Sequence, residues 1–397
     1  MDGNAWHNQN ASSCNLHCVP YNPMSGFLPK ITIQRILMSH FYRAAIFCAT
    51  LSFTALSGVR ADRLVLVAGG GDGADGAPAI QARLTGPFGV AFDRSGNLFI
   101  VEMTGQRVRK VDRNGVLTTV AGTGEKGDSG DGGPATAARF NGPHSLAVAA
   151  NGDVYVSDTW NNRVRRIDGQ TGVITAFAGT GEKGFSGDGG PALQAKFGGI
   201  YCVALDPKGE QMYLADLDNR RIRAVDLKTG IVRTLAGNGK RGVPAHGAEA
   251  TAAPLVDPRA VAADANGNVY ILERSGHALR VVDAAGRIHT VAGTGKAGAT
   301  GDDGDARQAQ LNGPKHLCID PDGNILVADT ENHAIRKVRA KDGKIIRVAG
   351  TGKKGHAGAG GDPLQTDLSQ PHGVYVDRSG ILYIADSSND RVLKIEP

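Results

Sequence analysis

The segment from residue 142 to residue 168, which reads GPHSLAVAANGDVYVSDTWNNRVRRID, decides the fold of this chain. It contains three short apolar runs, separated by one turn built on Asn-Gly and another built on Asn-Asn. Runs of this kind, rich in β-branched residues and bounded by Gly, Asn and Asp, are typical of antiparallel strands joined by hairpin turns. The segment therefore predicts three consecutive strands.

The same pattern occurs six times along the chain. Its cores span residues 86–112, 142–168, 198–226, 257–283, 313–339 and 370–396. Each of the first five cores is followed by a fourth apolar run, such as VLTTVAGTG from Val116 and VITAFAGTG from Val173. Four strands per repeat make one blade of a β-propeller. The sequence therefore predicts an all-β fold of four-stranded antiparallel blades.

The sixth repeat lacks its fourth run because the chain ends at Pro397. A matching run, RLVLVAGGG, occupies residues 63–71 at the other end of the domain. Pairing this run with the last three strands would close the ring and remove exposed sheet edges. We therefore predict a six-bladed β-propeller over residues 62–397, closed by an N-terminal strand that completes the last blade.

The pattern resembles NHL repeats from about residue 63 to residue 396. The Asp-x-x-Asn-x-Arg core of those repeats is intact at Asp158/Asn161/Arg163, Asp216/Asn219/Arg221 and Asp386/Asn389/Arg391. The NHL family contains recognition modules for protein or RNA, sensor ectodomains and a minority of enzymes. The resemblance therefore implies a scaffold and leaves the function open.

The region ahead of the repeats has the pattern of a targeting segment. In residues 38–61, Arg43 precedes an apolar run over 44–56, and the segment ends on Val59-Arg60-Ala61. This pattern predicts a signal peptide, with an apolar run too short for a permanent membrane anchor. We interpret residues 1–37 as a disordered segment or a non-native upstream extension of the reading frame. The protein is then expected to be secreted or periplasmic, and we expect a monomer.

Charge and composition argue against a nucleic-acid partner. The formal net charge of the whole chain is +5, and after removal of residues 1–61 it falls to about +2. The arginines of the third runs are spread around the ring, one per blade, and aromatic residues for base stacking are scarce. We therefore expect a protein or small-molecule ligand.

One position in each repeat does not follow the repeat. The innermost strand of a propeller blade begins at one mouth of the central channel, and we call that end of the ring the top face. The second or third residue after the one that opens each core lies there. In the six repeats this position, which we call the mouth column, holds Phe88, His144, Tyr201, Arg259, Lys315 and His372. Side chains this varied and polar predict a ligand-binding funnel, and we favour a non-catalytic binding module.

Two of these residues also allow a catalytic hypothesis. His144 and His372 follow proline, and their contexts are similar to those of two zinc-ligand histidines in the peptidyl-hydroxyglycine amidating lyase branch of the family. The resemblance implies a metal-dependent lyase or a lactonase-like hydrolase, with zinc on the two histidines. Tyr201 would then act as a base and Arg259 as the anchor of a carboxylate. The third histidine of that branch has no counterpart here, since Arg259 stands in its column.

The long loops between blades carry a recurring Gly-Asp-Gly-Gly-Pro-Ala sequence. We expect loops of about 20 residues to contribute to a binding surface on the top face. We interpret their aspartates mainly as caps of short helices. Calcium binding by Asp128, Asp131 and Asp188 is the alternative.

An acidic residue ends the second strand of every repeat. These residues are Glu102, Asp158, Asp216, Glu273, Asp329 and Asp386. In four repeats an arginine follows five residues later, which predicts an ion pair within the blade. Repeats four and five have alanine there, so Glu273 and Asp329 are secondary candidates for ligand binding, unless Arg280 and Arg336 replace the missing cations.

Overall fold

The computed structural model describes residues 62–397, which form six antiparallel sheets arranged as the blades of a ring. The first strands of neighbouring blades contact one another, and this places them innermost. The predicted six-bladed β-propeller is therefore confirmed. The predicted signal peptide at residues 38–61 and the segment 1–37 lie outside the described residues.

In blades 1 to 3 the four strands follow one another in chain order from the channel to the rim. Blade 1 contains β2 (Pro87–Phe92), β3 (Leu98–Glu102), β4 (Arg107–Val111) and β5 (Leu117–Ala121). Blade 2 contains β6 (Pro143–Val148), β7 (Val154–Asp158), β8 (Arg163–Ile167) and β9 (Ile174–Ala178). Blade 3 contains β10 (Ile200–Leu205), β11 (Gln211–Asp216), β12 (Arg221–Asp226) and β13 (Val232–Ala236).

Blade 4 has a fifth, two-residue strand at its outer edge. It contains β14 (Ala248–Glu249), β15 (Pro258–Ala263), β16 (Val269–Glu273), β17 (Ala278–Val282) and β18 (Arg287–Ala292). Blade 5 contains β19 (His316–Ile319), β20 (Ile325–Asp329), β21 (Ala334–Val338) and β22 (Ile345–Ala349). Blade 6 contains β23 (Gly373–Val376), β24 (Leu382–Asp386), β25 (Arg391–Glu396) and, from the start of the domain, β1 (Arg63–Gly69).

The ring closes as the sequence predicts. Strand β1 pairs antiparallel with β25, so that Leu64 lies opposite Ile395 and Gly69 opposite Arg391. Leu64 is fully buried beside Ile384 and Leu393 of the same blade. The first and last strands of the domain thus belong to one sheet, and blade 6 has four strands like its neighbours.

The helices of the described residues are single 3₁₀ turns. Five lie in the loops between blades: Ala79–Gln81, Ala135–Ala137, Ala192–Gln194, Ala306–Gln308 and Pro363–Gln365. Three follow second strands: Thr159–Asn161, Thr330–Asn332 and Ser387–Asn389. No helix between residues 62 and 397 is long and apolar enough to cross a bilayer.

The long loops cover the outer edge of the blade that follows them. The amide of Gly132 donates to the carbonyl of Ile174 at 2.8 Å, and the amide of Ile174 donates to the carbonyl of Gly133 at 3.0 Å. In blade 4 the same loop becomes β14, which pairs with the outermost strand β18. The glycine-rich cores of these loops therefore satisfy the backbone of an outer strand that would otherwise be exposed, and the contribution of the loops to a binding surface stays a prediction.

We expect deletion of residues 62–71 to lower the free energy of unfolding by about 5 kcal/mol or more. The deletion removes the buried side chains of Leu64 and Ala68 and leaves the edge of β25 unpaired. Denaturant titration measures the loss. The control is Arg63→Ala in the same strand, where the side chain is 45% exposed and the expected change is about 0.5 kcal/mol. A deletion variant as stable as the control would contradict closure by β1.

Candidate functional site at the channel mouth

A tight turn at the top face precedes each innermost strand. The residue two positions before the mouth column has a positive φ in all six blades, and in two blades it is not glycine: Asp257 has φ 48° and Gln370 has φ 47°. This left-handed conformation is unfavourable for residues with a Cβ atom. Side-chain contacts hold both residues there. The hydroxyl of Ser275 donates to Asp257, and the side-chain amide of Gln370 donates to a Glu331 carboxylate oxygen at 3.1 Å.

Five of the six mouth-column side chains form a continuous stack around the channel. The rings of His372 and Phe88 stack with centroids 3.9 Å apart. Phe88 lies 5.3 Å from His144, and His144 lies 4.7 Å from Tyr201 in an edge-on arrangement. The guanidinium of Arg259 lies over the Tyr201 ring at 4.6 Å. The structure therefore brings five of the six predicted residues into contact with one another, and their role as a ligand-binding funnel stays a prediction.

Both histidines of this stack are fixed in the same tautomer. Nδ1 of His144 lies 2.7 Å from the carbonyl oxygen of Gly142, and Nδ1 of His372 lies 2.8 Å from that of Gln370. A carbonyl oxygen only accepts, so Nδ1 carries the proton and Nε2 keeps its lone pair. Burial, reinforced by the nearby charge of Arg259, lowers the pKa of His144 to about 3. Burial and Lys315 hold the pKa of His372 well below its usual value, so both imidazoles are neutral at pH 7.

Three cations surround the stack, and two of them have acidic partners. Nζ of Lys315 lies 2.8 Å from a carboxylate oxygen of Glu331. Arg274 lies 3.4 Å from Asp257. Arg259 is only 6% exposed, and its Nη1 donates to the carbonyl of Tyr201 at 3.2 Å. No carboxylate between residues 62 and 397 comes within ion-pair distance of its guanidinium. Burial lowers its pKa to about 10, which still leaves it charged at neutral pH.

Sequence reasoning missed an exposed aromatic residue beside the stack. Trp160 is 46% exposed, and its ring lies edge-on to His144 with centroids 5.6 Å apart. The other repeats place Thr104, Asp218, Ser275, Glu331 and Ser388 at this position. A lone tryptophan in a column of polar residues is a signal that could have been read from the sequence.

The described residues do not fit a zinc centre. No three His, Cys, Asp or Glu side chains between residues 62 and 397 are grouped so that they could hold a metal ion. The Phe88 ring contacts both His144 and His372. The charges of Arg259 and Lys315 lower the pKa of these histidines, and the same charges disfavour a metal cation beside them. His316, one position past the mouth column, lines the central channel and its Nδ1 faces the amide of Val374 at 3.4 Å. The metal-dependent hypothesis, with Tyr201 as a base and Arg259 as the anchor of a carboxylate, therefore lacks a metal site among the described residues.

The loop aspartates bind arginines. The N-cap residues of the short helices are Pro134 and Pro191, and no side chain caps either helix, so the capping prediction is wrong for Asp131 and Asp188. Asp131 accepts from Nε of Arg165 at 2.9 Å, and Asp188 lies 2.7 Å from Arg223.

The aspartates that do cap are Asp305 and Asp362, which accept from the amides of Arg307 and Leu364. Asp128 pairs with Arg163. Each carboxylate of the calcium hypothesis is therefore already neutralised by a guanidinium, and among the described residues these aspartates form no metal-binding group.

The acids that end the second strands are buried structural groups. Each accepts the backbone amide of the residue three positions before the mouth column, at 2.6–2.8 Å: Thr85, Asn141, Gly198, Val256, Asn312 and Ser369. In blades 1 to 5 the arginine seven residues after the acid approaches it within 2.9–3.8 Å. The predicted arginine, five residues after the acid, lies within ion-pair distance of it in two blades: Arg163 is 3.8 Å from Asp158, and Arg391 is 2.8 Å from Asp386.

Glu273 and Asp329 are therefore not left free for a ligand. Both are fully buried, and they pair with Arg280 at 2.9 Å and Arg336 at 3.6 Å. Burial raises the pKa of both carboxyl groups, that of Asp329 to about 6. Each also accepts a backbone amide, so we assign both to the framework of the blade.

We expect Arg280→Gln to lower the free energy of unfolding by about 3–5 kcal/mol, because it leaves the fully buried Glu273 without a cation. Arg287→Gln in the same blade is the matched control. Arg287 is 52% exposed and lies 3.7 Å from Glu249, so its loss should cost about 1 kcal/mol or less. Denaturant titration compares the two, and equal effects would show that Glu273 does not depend on Arg280.

Comparison with known proteins identifies the repeats. The NHL repeat model matches residues 140–167, 311–338 and 368–395, and the teneurin NHL domain model matches residues 68–128. The predicted NHL repeats are therefore confirmed.

Among sequence relatives, the Arabidopsis thaliana protein SUPPRESSOR OF QUENCHING 1 is 29% identical over 68% of this chain and 26% of its own length. Mouse teneurin-3 is 29% identical over 64% of this chain and 10% of its own length. NHL repeat-containing protein 2 from Gallus gallus is 26% identical over 77% of this chain and 46% of its own length. The chain thus spans less than half the length of each of these relatives.

Solved structures share the fold at low sequence identity. An auxiliary nutrient binding protein from Bacteroides thetaiotaomicron has a TM-score of 0.62 at 15% identity, covering 84% of this chain and 76% of its own. A protein of the same description from Bacteroides ovatus has a TM-score of 0.62 at 16% identity, covering 85% and 77%. These likenesses concern the propeller fold.

Proposed function

We propose that this NHL-repeat β-propeller is a ligand- or protein-binding module that works through its top face. The observation that carries the proposal is the loss of the repeat at the mouth column. The buried acid and the amide it accepts recur in all six blades. The residues of the mouth column differ from blade to blade.

Packing alone gives no reason for this variety. A ring of equivalent positions can be filled by branched apolar residues alone, as the fully buried position two residues before each second-strand acid is by Ile100, Val156, Leu214, Ile271, Val327 and Ile384. The mouth instead holds two neutral histidines, a tyrosine and a buried unpaired arginine next to the exposed ring of Trp160. Polar groups converging beside an exposed aromatic ring are typical of recognition surfaces.

The binding role has more support than the catalytic alternative. A metal-dependent lyase or lactonase-like hydrolase needs a third metal ligand near His144 and His372, and the described residues supply none. Proteins described as auxiliary nutrient binding proteins are built on the same fold, so the scaffold is compatible with binding.

We further propose that the protein works outside the cytoplasm, on the signal-peptide pattern of residues 38–61. We expect the mature protein from its native source to begin at Asp62. N-terminal sequencing or intact-mass measurement tests this. A product that retains residues 38–61 would contradict export by cleavage at that site.

The top face is tested by screening a pooled metabolite and peptide library with ligand-observed NMR. We expect hits whose binding weakens about ten-fold or more in Trp160→Ala, because an aromatic contact surface is lost. The matched control is Leu193→Ala, an apolar residue 52% exposed on an outer loop, which should bind every hit as well as the unmodified protein.

The competing site is on the opposite face. A cavity of about 700 Å³ lies there, lined by Phe92, Tyr155, Tyr375 and Tyr383 among others. Hits that are insensitive to Trp160→Ala and are lost in Tyr375→Ala would overturn the proposal in favour of that cavity.

A further inference from the structure

We propose that the top face binds the carboxylate group of its ligand and that Arg259 receives it. The inference rests on the proposed function, since it assigns a chemical class to the ligand of the same surface. It is carried by one buried cation whose environment differs from that of every other buried arginine in the domain.

Seven arginines between residues 62 and 397 are buried, and six of them have a carboxylate partner. The paired six are Arg109, Arg165, Arg223, Arg280, Arg336 and Arg391. Arg259, the seventh, makes one hydrogen bond, to the carbonyl of Tyr201. A guanidinium has five N–H donors, and burying it without a counter-ion is costly. A bound anionic ligand would supply the counter-ion that Arg259 lacks.

Arg259 lies where a ligand would enter the channel. It belongs to β15, the innermost strand of blade 4, and its guanidinium reaches the neighbouring blade 3, where it contacts the ring and the carbonyl of Tyr201. Its charge also lowers the pKa of His144 in blade 2 and of His372 in blade 6. Its attachment to the Tyr201 carbonyl holds it there, so its geometry is set before a ligand arrives.

The charge balance at the mouth favours a monoanion. Glu331 neutralises Lys315, and Asp257 neutralises Arg274. The two histidines are neutral and add no positive charge. Of the three cations around the stack, Arg259 alone therefore keeps an unbalanced charge, and that charge is carried by a planar fork that matches the two oxygens of a carboxylate. The Tyr201 ring, 4.6 Å from the guanidinium, excludes water from one side of Arg259 and strengthens such a pair.

Carboxylates of this kind occur on free organic acids and on the C-termini of peptides. Benzoate and benzamide form a matched pair of small probes that differ in charge. N-acetyl-glycyl-phenylalanine and its C-terminal amide form the corresponding peptide pair. Dissociation constants are measured by following the imidazole resonances of His144 and His372 and the indole resonance of Trp160 in NMR titrations.

We expect each acid to bind and each amide to bind about ten-fold more weakly or not at all. Arg259→Gln should weaken the acids about ten-fold or more and leave the melting temperature unchanged or higher, because it removes an unpaired buried charge. Arg94→Gln, an exposed arginine on the opposite face, is the control and should bind like the unmodified protein. Arg259→Lys, which keeps the charge and loses the fork, should fall between the two and serves if Arg259→Gln does not fold.

Several outcomes would overturn the carboxylate assignment while leaving binding at the top face intact. These are amides that bind as tightly as the acids, acids that bind Arg259→Gln normally, and inorganic sulfate that binds more tightly than any carboxylate. Absence of binding by all four probes at millimolar concentration would also overturn it. The library screen with Trp160→Ala decides the proposed function separately, since it does not depend on the charge of the ligand.

Discussion

The buried carboxylate at the end of each second strand is the interaction on which the rest of the ring depends. It is fully desolvated, and it accepts the amide that lies three residues before the mouth column in the incoming innermost strand. The same carboxylate faces an arginine from the third strand. A buried charge is tolerated only with partners of this kind. One acid thus joins three parts of a blade and fixes where each innermost strand enters.

The fold could be read from the sequence because each blade repeats its strands, its turns and its breaks. The arginine partner of the acid could not be read correctly from spacing alone. Asp158 lies directly opposite Arg163 in the strand register, which favours the arginine five residues later. The guanidinium of Arg165, two residues further on the same face, is long enough to reach the acid and a loop aspartate together. In blade 2 Arg163 and Arg165 therefore share the acid at 3.8 Å each, and the strand register identified only the first of these two partners.

The sequence nevertheless contains a pattern that indicates the pairing of the third-strand arginine with a loop aspartate. Blades 1, 2, 3 and 5 combine a loop aspartate with an arginine in the third strand, as Asp131 does with Arg165. Blade 6 lacks both, with Ala359 and Leu393 at the corresponding positions. Joint loss of this kind indicates contact, although blade 4 keeps Arg280 without a loop aspartate, and there Arg280 pairs with Glu273 alone. The repeat also predicted that the mouth-column residues converge, because equivalent positions of all blades lie at the same end of the ring. That Arg259 lacks an acidic partner depends on side chains distant in sequence, and only the structure shows it.

The mouth shows how a symmetric ring acquires a single polar site. Asp257 and Gln370 stand where four blades have glycine, and both are held in a left-handed conformation that their side chains make unfavourable. Asp257 pairs with Arg274, and Gln370 binds Glu331, which pairs with Lys315. The two strained residues therefore help to satisfy two of the three cations around the channel. Arg259 is left as the one of these three cations without an acidic partner, and strain in the two turns is consistent with a mouth arranged around that charge.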